Sequence, residues 1–236
     1  MYDFSNKVVL ITGGTGALGK TLTQRFISSG ATTIATYLND EKIEALTGQN
    51  TINVELIKAD VTREEQVVKL ISTIVERFGH IDILVNSVGG YLGGKSVTDL
   101  EEHEWDLMMN LNLKSAFLIS KHVIPVMKSS GPGGRIVHIS SKTGLKSEGH
   151  DSAYAASKSG LIRLVESISQ ETKELGINVN CILPSVIDTE ANRRAMPKAD
   201  FSRWVKTDDL INVVFFLCSQ EAKVITGAAI PTYGLS

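Results

Sequence analysis

Tyr154 and Lys158 stand four residues apart in a segment that reads as a helix, so one helical face carries a phenol and an ammonium together. A free tyrosine, with a pKa near ~10, is a poor acid or base at neutral pH. A nearby ammonium favours the phenolate and lowers that value, each unit being worth about 1.4 kcal/mol. The pair is chemically sensible as a tuned proton donor to an oxygen on which negative charge develops. By itself this spacing is more often a solvated helix pair. Its neighbours change the odds. Ser141 lies 13 residues before Tyr154, at the end of the run Arg135-Ile136-Val137-His138-Ile139-Ser140-Ser141, and tops a strand that feeds into the tyrosine helix. Its hydroxyl can hold the same oxygen and share the developing charge. Ser140 competes for that role, and either serine can instead cap a loop. Asn112 sits inside a long helical stretch, where an asparagine is mildly unfavourable and calls for an explanation.

A second cluster lies near the start of the chain. Thr12-Gly13-Gly14-Thr15-Gly16-Ala17-Leu18-Gly19 follows an apolar strand and opens a helix. Glycines there permit a tight turn, let the backbone approach a pyrophosphate and let the helix pack closely on the sheet. The helix N-terminus adds free N–H groups and a partial positive charge for phosphates. A glycine-rich turn alone is weak evidence, but the strand-turn-helix context is the one a dinucleotide requires.

The elements that must position these groups alternate. Short β-branched runs at 7–12, 32–37, 53–58, 81–86, 135–140 and 177–182 are the strands. Most are continuously apolar, as expected of strands covered on both faces. Helical stretches at 17–29, 40–46, 63–78, 101–129, 152–175 and 207–218 separate them, and a last short strand falls near 228–231. Thr62 with Glu65 forms a capping-box pattern, and Gly30, Gly79 and Gly176 sit where helices should stop. Strict alternation implies right-handed crossovers and a parallel sheet with helices on both sides. No linker rich in Pro, Gly or Ser interrupts it, so the expectation is one domain over 1–236 with a sheet of about seven strands.

Charge and composition narrow the function. Twenty-four Lys and Arg against 26 Asp and Glu leave a net charge of −2, which gives no electrostatic footprint for nucleic acid. An apolar fraction of 42% excludes a disordered polyelectrolyte. The two cysteines, Cys181 and Cys218, lie in apolar stretches and read as buried thiols of a reducing compartment. No apolar run approaches the ~18 residues needed to span a bilayer, and the N-terminus lacks a signal core. The expectation is a soluble cytoplasmic protein without a membrane partner. The five histidines show no metal spacing, so no metal is assigned.

The loop TGGTGALG resembles the TGxxxGxG cofactor motif of the short-chain dehydrogenase/reductases, with Ala17 where the middle glycine is usual. Asn112, Ser141, Tyr154 and Lys158 resemble that family's catalytic tetrad in order and spacing, the 13-residue interval selecting Ser141 over Ser140. The likeness runs from about Lys7 to Tyr233. It implies a Rossmann-type doubly wound α/β fold and hydride transfer between a nicotinamide and a carbonyl or alcohol. Tyr154 would be the acid–base, Lys158 its electrostatic partner, Ser141 the hydrogen bonder to the substrate oxygen and Asn112 the organiser of a water relay. It places the cofactor against Gly13, Thr15, Gly16, Ala17, Leu18 and Gly19, against Tyr37, and against Asp60 and Val61 after the third strand. It adds Asn86, Ser87 and Val88 after the fourth strand, Tyr154 and Lys158 themselves, and Pro184, Ile187 and Thr189 after the sixth. Ser87 and Val88 depart from the usual NNAG, and Ser185 replaces a usual glycine.

The cofactor is NADP or NAD, with NADP favoured because no carboxylate occupies the end of the second strand, Tyr37-Leu38-Asn39. Asp60 also reads as a turn acid before Thr62, and Asp40 and Glu41 as first-turn helix acids. Residues 189–206 would form a short substrate lid, and the resemblance implies a homodimer or homotetramer built on the two long helices. Lys142, Lys146, His150, Arg193 and Arg194 could gather at the pocket mouth to draw an anionic substrate, although a solvated face is the plainer reading, and Tyr91 could add an aromatic wall. Two other functions stay open. One is a dihydropteridine-reductase-like enzyme, suggested by the GALG ending of the loop. The other is a non-catalytic dinucleotide-sensing protein, although such sensors tend to lose the Tyr/Lys pair.

Overall fold

The structure is a computed structural model, and it describes residues 2–40, 54–131 and 133–235. Its centre is a parallel seven-stranded sheet in the order β3-β2-β1-β4-β5-β6-β9. The strands are β1 (Val8–Thr12), β2 (Thr32–Tyr37), β3 (Val54–Lys58), β4 (Ile83–Asn86), β5 (Gly134–Ile139), β6 (Ile177–Pro184) and β9 (Ala229–Thr232). Two short strands, β7 (Ile187–Asp188) and β8 (Val205–Lys206), pair with each other apart from this sheet. The chain starts at the middle of the sheet, winds out to β3, then returns to β4 on the other side of β1. That reversal opens a crevice beyond the carboxyl ends of β1 and β4.

The continuous apolar runs are sorted by the alternation of side chains along each strand. Val8 and Leu10 face a core shared with α2 (Glu64–Phe78), α4 (Ser115–Ser129) and α5 (Ser152–Thr172). Val9 and Ile11 face the opposite core, against α1 (Ala17–Ser28) and α7 (Thr207–Cys218). In that second core Phe4, Phe26 and Phe215 pack with ring centroids 4.4–5.1 Å apart. Both cysteines are buried and unbridged. Among the described residues no helix is long and apolar enough to cross a membrane, and no three His, Cys, Asp or Glu cluster as metal ligands.

Several expectations are corrected. The predicted helix 101–129 is α3 (Glu102–Met109) and α4 joined by one wide π turn, Asn110–Lys114. The helix 152–175 ends at Thr172 and tightens into a 3-10 turn before Gly176, which takes the left-handed conformation at φ +68°. The Thr62–Glu65 capping box does not form. Arg63 is the N-cap of α2, and Thr62 turns back to Asp60, donating both its hydroxyl (2.7 Å) and its N–H (2.9 Å) to Oδ1. A nearer acceptor wins, because Asp and Thr two residues apart close a local turn at little entropic cost. The segment 189–206 contains a helix, α6 (Glu190–Ala195), and its base is clamped by the β7–β8 pair, which the sequence reading missed. The helix predicted at 40–46 lies, beyond Asp40, outside the described residues.

Candidate active site

The glycine loop crosses the mouth of the β1/β4 crevice. Gly13 takes φ +70°, and its N–H donates to Thr36 Oγ1 at 3.0 Å. Gly14 N–H donates to the Thr36 carbonyl at 2.8 Å, and Gly16 N–H to the Gly13 carbonyl at 2.9 Å. Gly16 is the N-cap of α1 and brings no side chain to its amides, so the first-turn N–H groups face the crevice uncapped. Gly19 packs directly on the loop, since a Cβ there would lie 2.1 Å from the Gly13 carbonyl oxygen. Ala17 is the first residue of α1 and exposed, so its methyl meets no obstacle. Leu18 is buried in the core, which leaves only its backbone at the loop.

Across the crevice, Ser87 Oγ donates to the Thr12 carbonyl at 2.6 Å, and Val88 packs against Gly13. Tyr37 ends β2 in register with Lys58. Lys58 binds Asp40 at 2.5 Å, so the first acid beyond β2 is paired. Asp60 is half-buried and spends Oδ1 on Thr62, while the Val61 side chain belongs to the core. Pro184 is the buried end of β6, Ile187 packs against the α1/α7 core, and Thr189 Oγ1 caps α6 by accepting the Asn192 N–H at 3.2 Å. A cradle of glycines with uncapped amides, closed by backbone at Gly19, fits a dinucleotide pyrophosphate.

The four expected catalytic side chains come together. Lys158 is buried, its Nζ donates to the Ile139 carbonyl at 2.8 Å, and it lies 5.9 Å from the centre of the Tyr154 ring. Burial pushes its pKa down to about 8. Asn112 is buried on the π turn. Its Oδ1 accepts the Gly90 N–H at 2.9 Å, while Nδ2 donates to the Gly90 carbonyl and to Ser157 Oγ, both at 3.1 Å. These bonds explain the asparagine inside a helix. The wide turn lets its amide reach Gly90, 22 residues away in sequence, and π turns recur at such sites. Gly89 fits between Asn112 Oδ1 and Lys158 Nζ, with room only for a hydrogen. The two serines separate cleanly. Ser140 donates to the Lys158 carbonyl at 3.0 Å, whereas Ser141 hydrogen-bonds with Tyr154.

Tyr154 is corrected in one respect. Its pKa lies above the ordinary value, not below it, because burial dominates, the Ser141 hydrogen bond opposes, and Asp151 adds to the rise. The ammonium that was expected to lower it is itself buried and is turned to the Ile139 carbonyl.

A buried polar chain supports the site from behind. Thr12 Oγ1 donates to Asn86 Oδ1, Asn86 Nδ2 lies 3.3 Å from His138 Nδ1, and His138 Nε2 lies 3.1 Å from Ser120 Oγ. With Asn86 donating, Nδ1 is the acceptor and the proton sits on Nε2. Burial first, and then the Lys158 charge, push His138 down to about 3, so it stays neutral. The unfolded chain therefore takes up a proton below pH ~6.5 that the folded chain refuses until about 3. Stability contributed this way is complete at neutral pH and falls as pH drops through that window. Between pH 7 and 5 the loss is about 2 kcal/mol. Urea unfolding at both values should show that part of the loss missing in His138→Gln; an equal loss in the variant would place the histidine elsewhere.

Arg193, Arg194 and Lys142 follow the plainer reading of a solvated face rather than a gathered basic cluster. Arg193 donates to both Asp188 oxygens at 2.6 and 2.8 Å, and Arg194 pairs with Glu190 at 3.0 Å. Lys142 lies over the Tyr233 ring at 5.3 Å. Charges one helical turn apart satisfy each other before any ligand arrives. Tyr91 is where an aromatic wall was expected, edge-on to Tyr154 with centroids 4.9 Å apart. Its partner Asp151, which accepts the Tyr91 hydroxyl at 2.9 Å, was missed; the signal was an Asp immediately before a helix start.

A family model described as short chain dehydrogenase matches residues 7–200. A 3-oxoacyl-[acyl-carrier-protein] reductase FabG of Thermotoga maritima is 31% identical over 235 residues, covering 95% of each chain. Dehydrogenase/reductase SDR family member 6 of Aquarana catesbeiana is 32% identical over 243 residues, covering 97% of this chain and 96% of the relative. Among solved structures, ElxO with NADP bound superposes with a TM-score of 0.90 at 29% identity, covering 97% of each chain.

Proposed function

The chain belongs to the short-chain dehydrogenase/reductase family and is an NAD(P)-dependent oxidoreductase; from that premise we propose that it interconverts a carbonyl and an alcohol, with Tyr154 as the proton donor and acceptor. The observation that carries this reading is the convergence of Tyr154, Lys158, Ser141 and Asn112 beside the crevice that the glycine loop opens. The first-turn amides of α1 would hold the pyrophosphate, with Gly13, Thr15, Gly16, Ala17, Leu18 and Gly19 shaping the approach. Asn86, Ser87 and Val88 would wall the inner side, and Pro184, Ile187 and Thr189 the outer. When bound, the nicotinamide supplies the hydride that reduces the substrate carbon. Tyr154 then passes its phenolic proton to the substrate oxygen, and the Ser141 hydroxyl hydrogen-bonds the same oxygen as charge develops. Lys158, held by the Ile139 carbonyl, keeps a positive charge near that oxygen. Asn112 fixes Gly90 and so the floor between the lysine and the crevice.

NADP is the preferred dinucleotide in this reading. Tyr37, Leu38 and Asn39 offer no carboxylate to repel a 2′-phosphate, and the described acid that follows them, Asp40, is paired with Lys58. Residues 189–206 are the substrate lid. Equilibrium binding of NADPH and NADH, followed by oxidation of each against ketones, aldehydes and pterins, tests the whole reading. Tighter NADPH binding and turnover of a ketone or aldehyde are expected. Binding without turnover on any substrate would make the chain a dinucleotide sensor, and turnover confined to pterins would make it a pteridine reductase.

A further inference from the structure

A cavity of about 550 Å³ opens at the amino ends of β1, β4 and β5. The glycine loop and Tyr154 lie at the other end of the sheet, about 20 Å away along the six residues of β5. Arg135, the second residue of β5, stands in the cavity wall and is only 8% exposed. Its guanidinium meets three neutral oxygens. Nε donates to the Ser219 carbonyl at 3.4 Å, Nη1 to the Gly134 carbonyl at 2.9 Å and Nη2 to Gln220 Oε1 at 3.5 Å. A guanidinium has five N–H donors, so two are left without an acceptor among the described residues. No described carboxylate pairs with it, and burial pushes its pKa down with no carboxylate opposing. Buried charges are normally paired. Here the order is inverted, because the much more exposed Arg25, Arg77 and Arg193 each hold a carboxylate and the buried arginine does not.

We propose that this cavity is a binding site for a small organic monocarboxylate, held by the two spare N–H groups of Arg135 and separate from the dinucleotide crevice. The acids that share the cavity do not take that place. Asp82 accepts Lys7 Nζ at 3.0 Å and the Val8 N–H at 2.8 Å, and faces His80 Nε2 at 3.1 Å. Asp3 accepts the Ser5 N–H, and Glu221 hydrogen-bonds with Ser219. Both are exposed, where water and salt screen their charge. A carboxylate matches the planar fork of a guanidinium. It also brings one negative charge to one unpaired cation. A phosphate, with close to two charges, would find no second partner, because Lys7 is committed to Asp82. The volume suits a small molecule. Gly131 and Gly133 border the space bare, since a Cβ at either meets nothing within 4 Å, and Tyr2 and Met127 offer apolar contact to a carbon skeleton.

Butyrate and benzoate are the probes, with chloride at matched ionic strength as baseline and phosphate as comparison. At about 20 mM, either carboxylate should raise the Tm of the dinucleotide-free protein by about 3 °C or more, as a Kd near ~1 mM requires. Gln220→Glu decides where the anion sits. Gln220 is exposed on the turn after α7, and its side-chain oxygen already lies 3.5 Å from Arg135 Nη2. A carboxylate there becomes the arginine's own partner without touching the core. The rise should vanish, with calorimetric affinity at least about tenfold weaker, whereas the uncharged Gln220→Leu should bind within about twofold of wild type. Arg135→Met should lose binding as well; should it fail to fold, the two Gln220 variants decide alone. A rise that survives Gln220→Glu would put the anion elsewhere, for instance on the uncapped amides of α1, and would overturn the proposal. So would a larger effect of phosphate than of either carboxylate, or no rise in the wild-type chain.

Discussion

Tyr154→Phe should lower kcat by about 10³-fold while leaving dinucleotide affinity within about twofold. The substitution removes one oxygen and nothing else. The phenyl ring keeps its place on α5 and its edge contact with Tyr91, so neither packing nor helix geometry gives way. What disappears is the only phenol that shares a hydrogen bond with Ser141 and a helix face with Lys158. A general acid of this kind contributes about 10²–10⁴-fold, and Ser141 cannot replace it, because a hydroxyl stabilises charge without delivering a proton at neutral pH. The glycine cradle lies at the end of β1, and Tyr154 does not build it, so binding stays. Steady-state rates and fluorescence titration of NADPH on the same preparation separate the two effects. Retained turnover would remove Tyr154 from the chemistry and leave positioning alone to explain any catalysis.

The second large effect is expected at Gly19, whose bare Cα seats α1 on the Gly13 carbonyl. Alanine would bring a Cβ to 2.1 Å from the Gly13 carbonyl oxygen and 2.9 Å from its carbon. Both are backbone atoms, so no side-chain rotation relieves the clash. The loop has to lift, and the Gly13 and Gly14 N–H bonds to Thr36 lift with it. Gly19→Ala should weaken dinucleotide binding about 100-fold, equivalent to about 2.8 kcal/mol. It should also destabilise the fold by about 2 kcal/mol, lowering Tm by about 4–8 °C. Gly16→Ala is the control: φ is −71° there, and the nearest atom to a new Cβ is 3.2 Å away, so its effect should stay within about tenfold. Calorimetry of both variants with and without NADPH distinguishes them. Wild-type affinity in Gly19→Ala would mean that the loop is not the cradle.

Much of this molecule was legible in the chain because its signals are local. The apolar run Val8–Thr12, the glycines that follow and the start of α1 at Ala17 depend on residues within one turn of each other. The i, i+4 spacing of Tyr154 and Lys158 likewise guarantees a shared helix face. The misreadings fall where partners are distant or where two local acceptors compete. The π turn at Asn110–Lys114 answers to Gly90 and Ser157, 22 and 45 residues from Asn112, and no helical period announces it. Thr62 had two possible uses, and the nearer acceptor, Asp60, decided.

Sequence by itself determined the order of the elements, the place of the glycine loop and the identity of the residues around Tyr154, since steric rules and periodicity act between neighbours along the chain. Only the tertiary structure decided the charge each group carries in place. Burial holds His138 neutral and brings Lys158 down to about 8, and Tyr154 moves opposite to the direction its lysine suggested. Ionisation depends on how much water is excluded and which counter-charge is nearest, and the fold sets both.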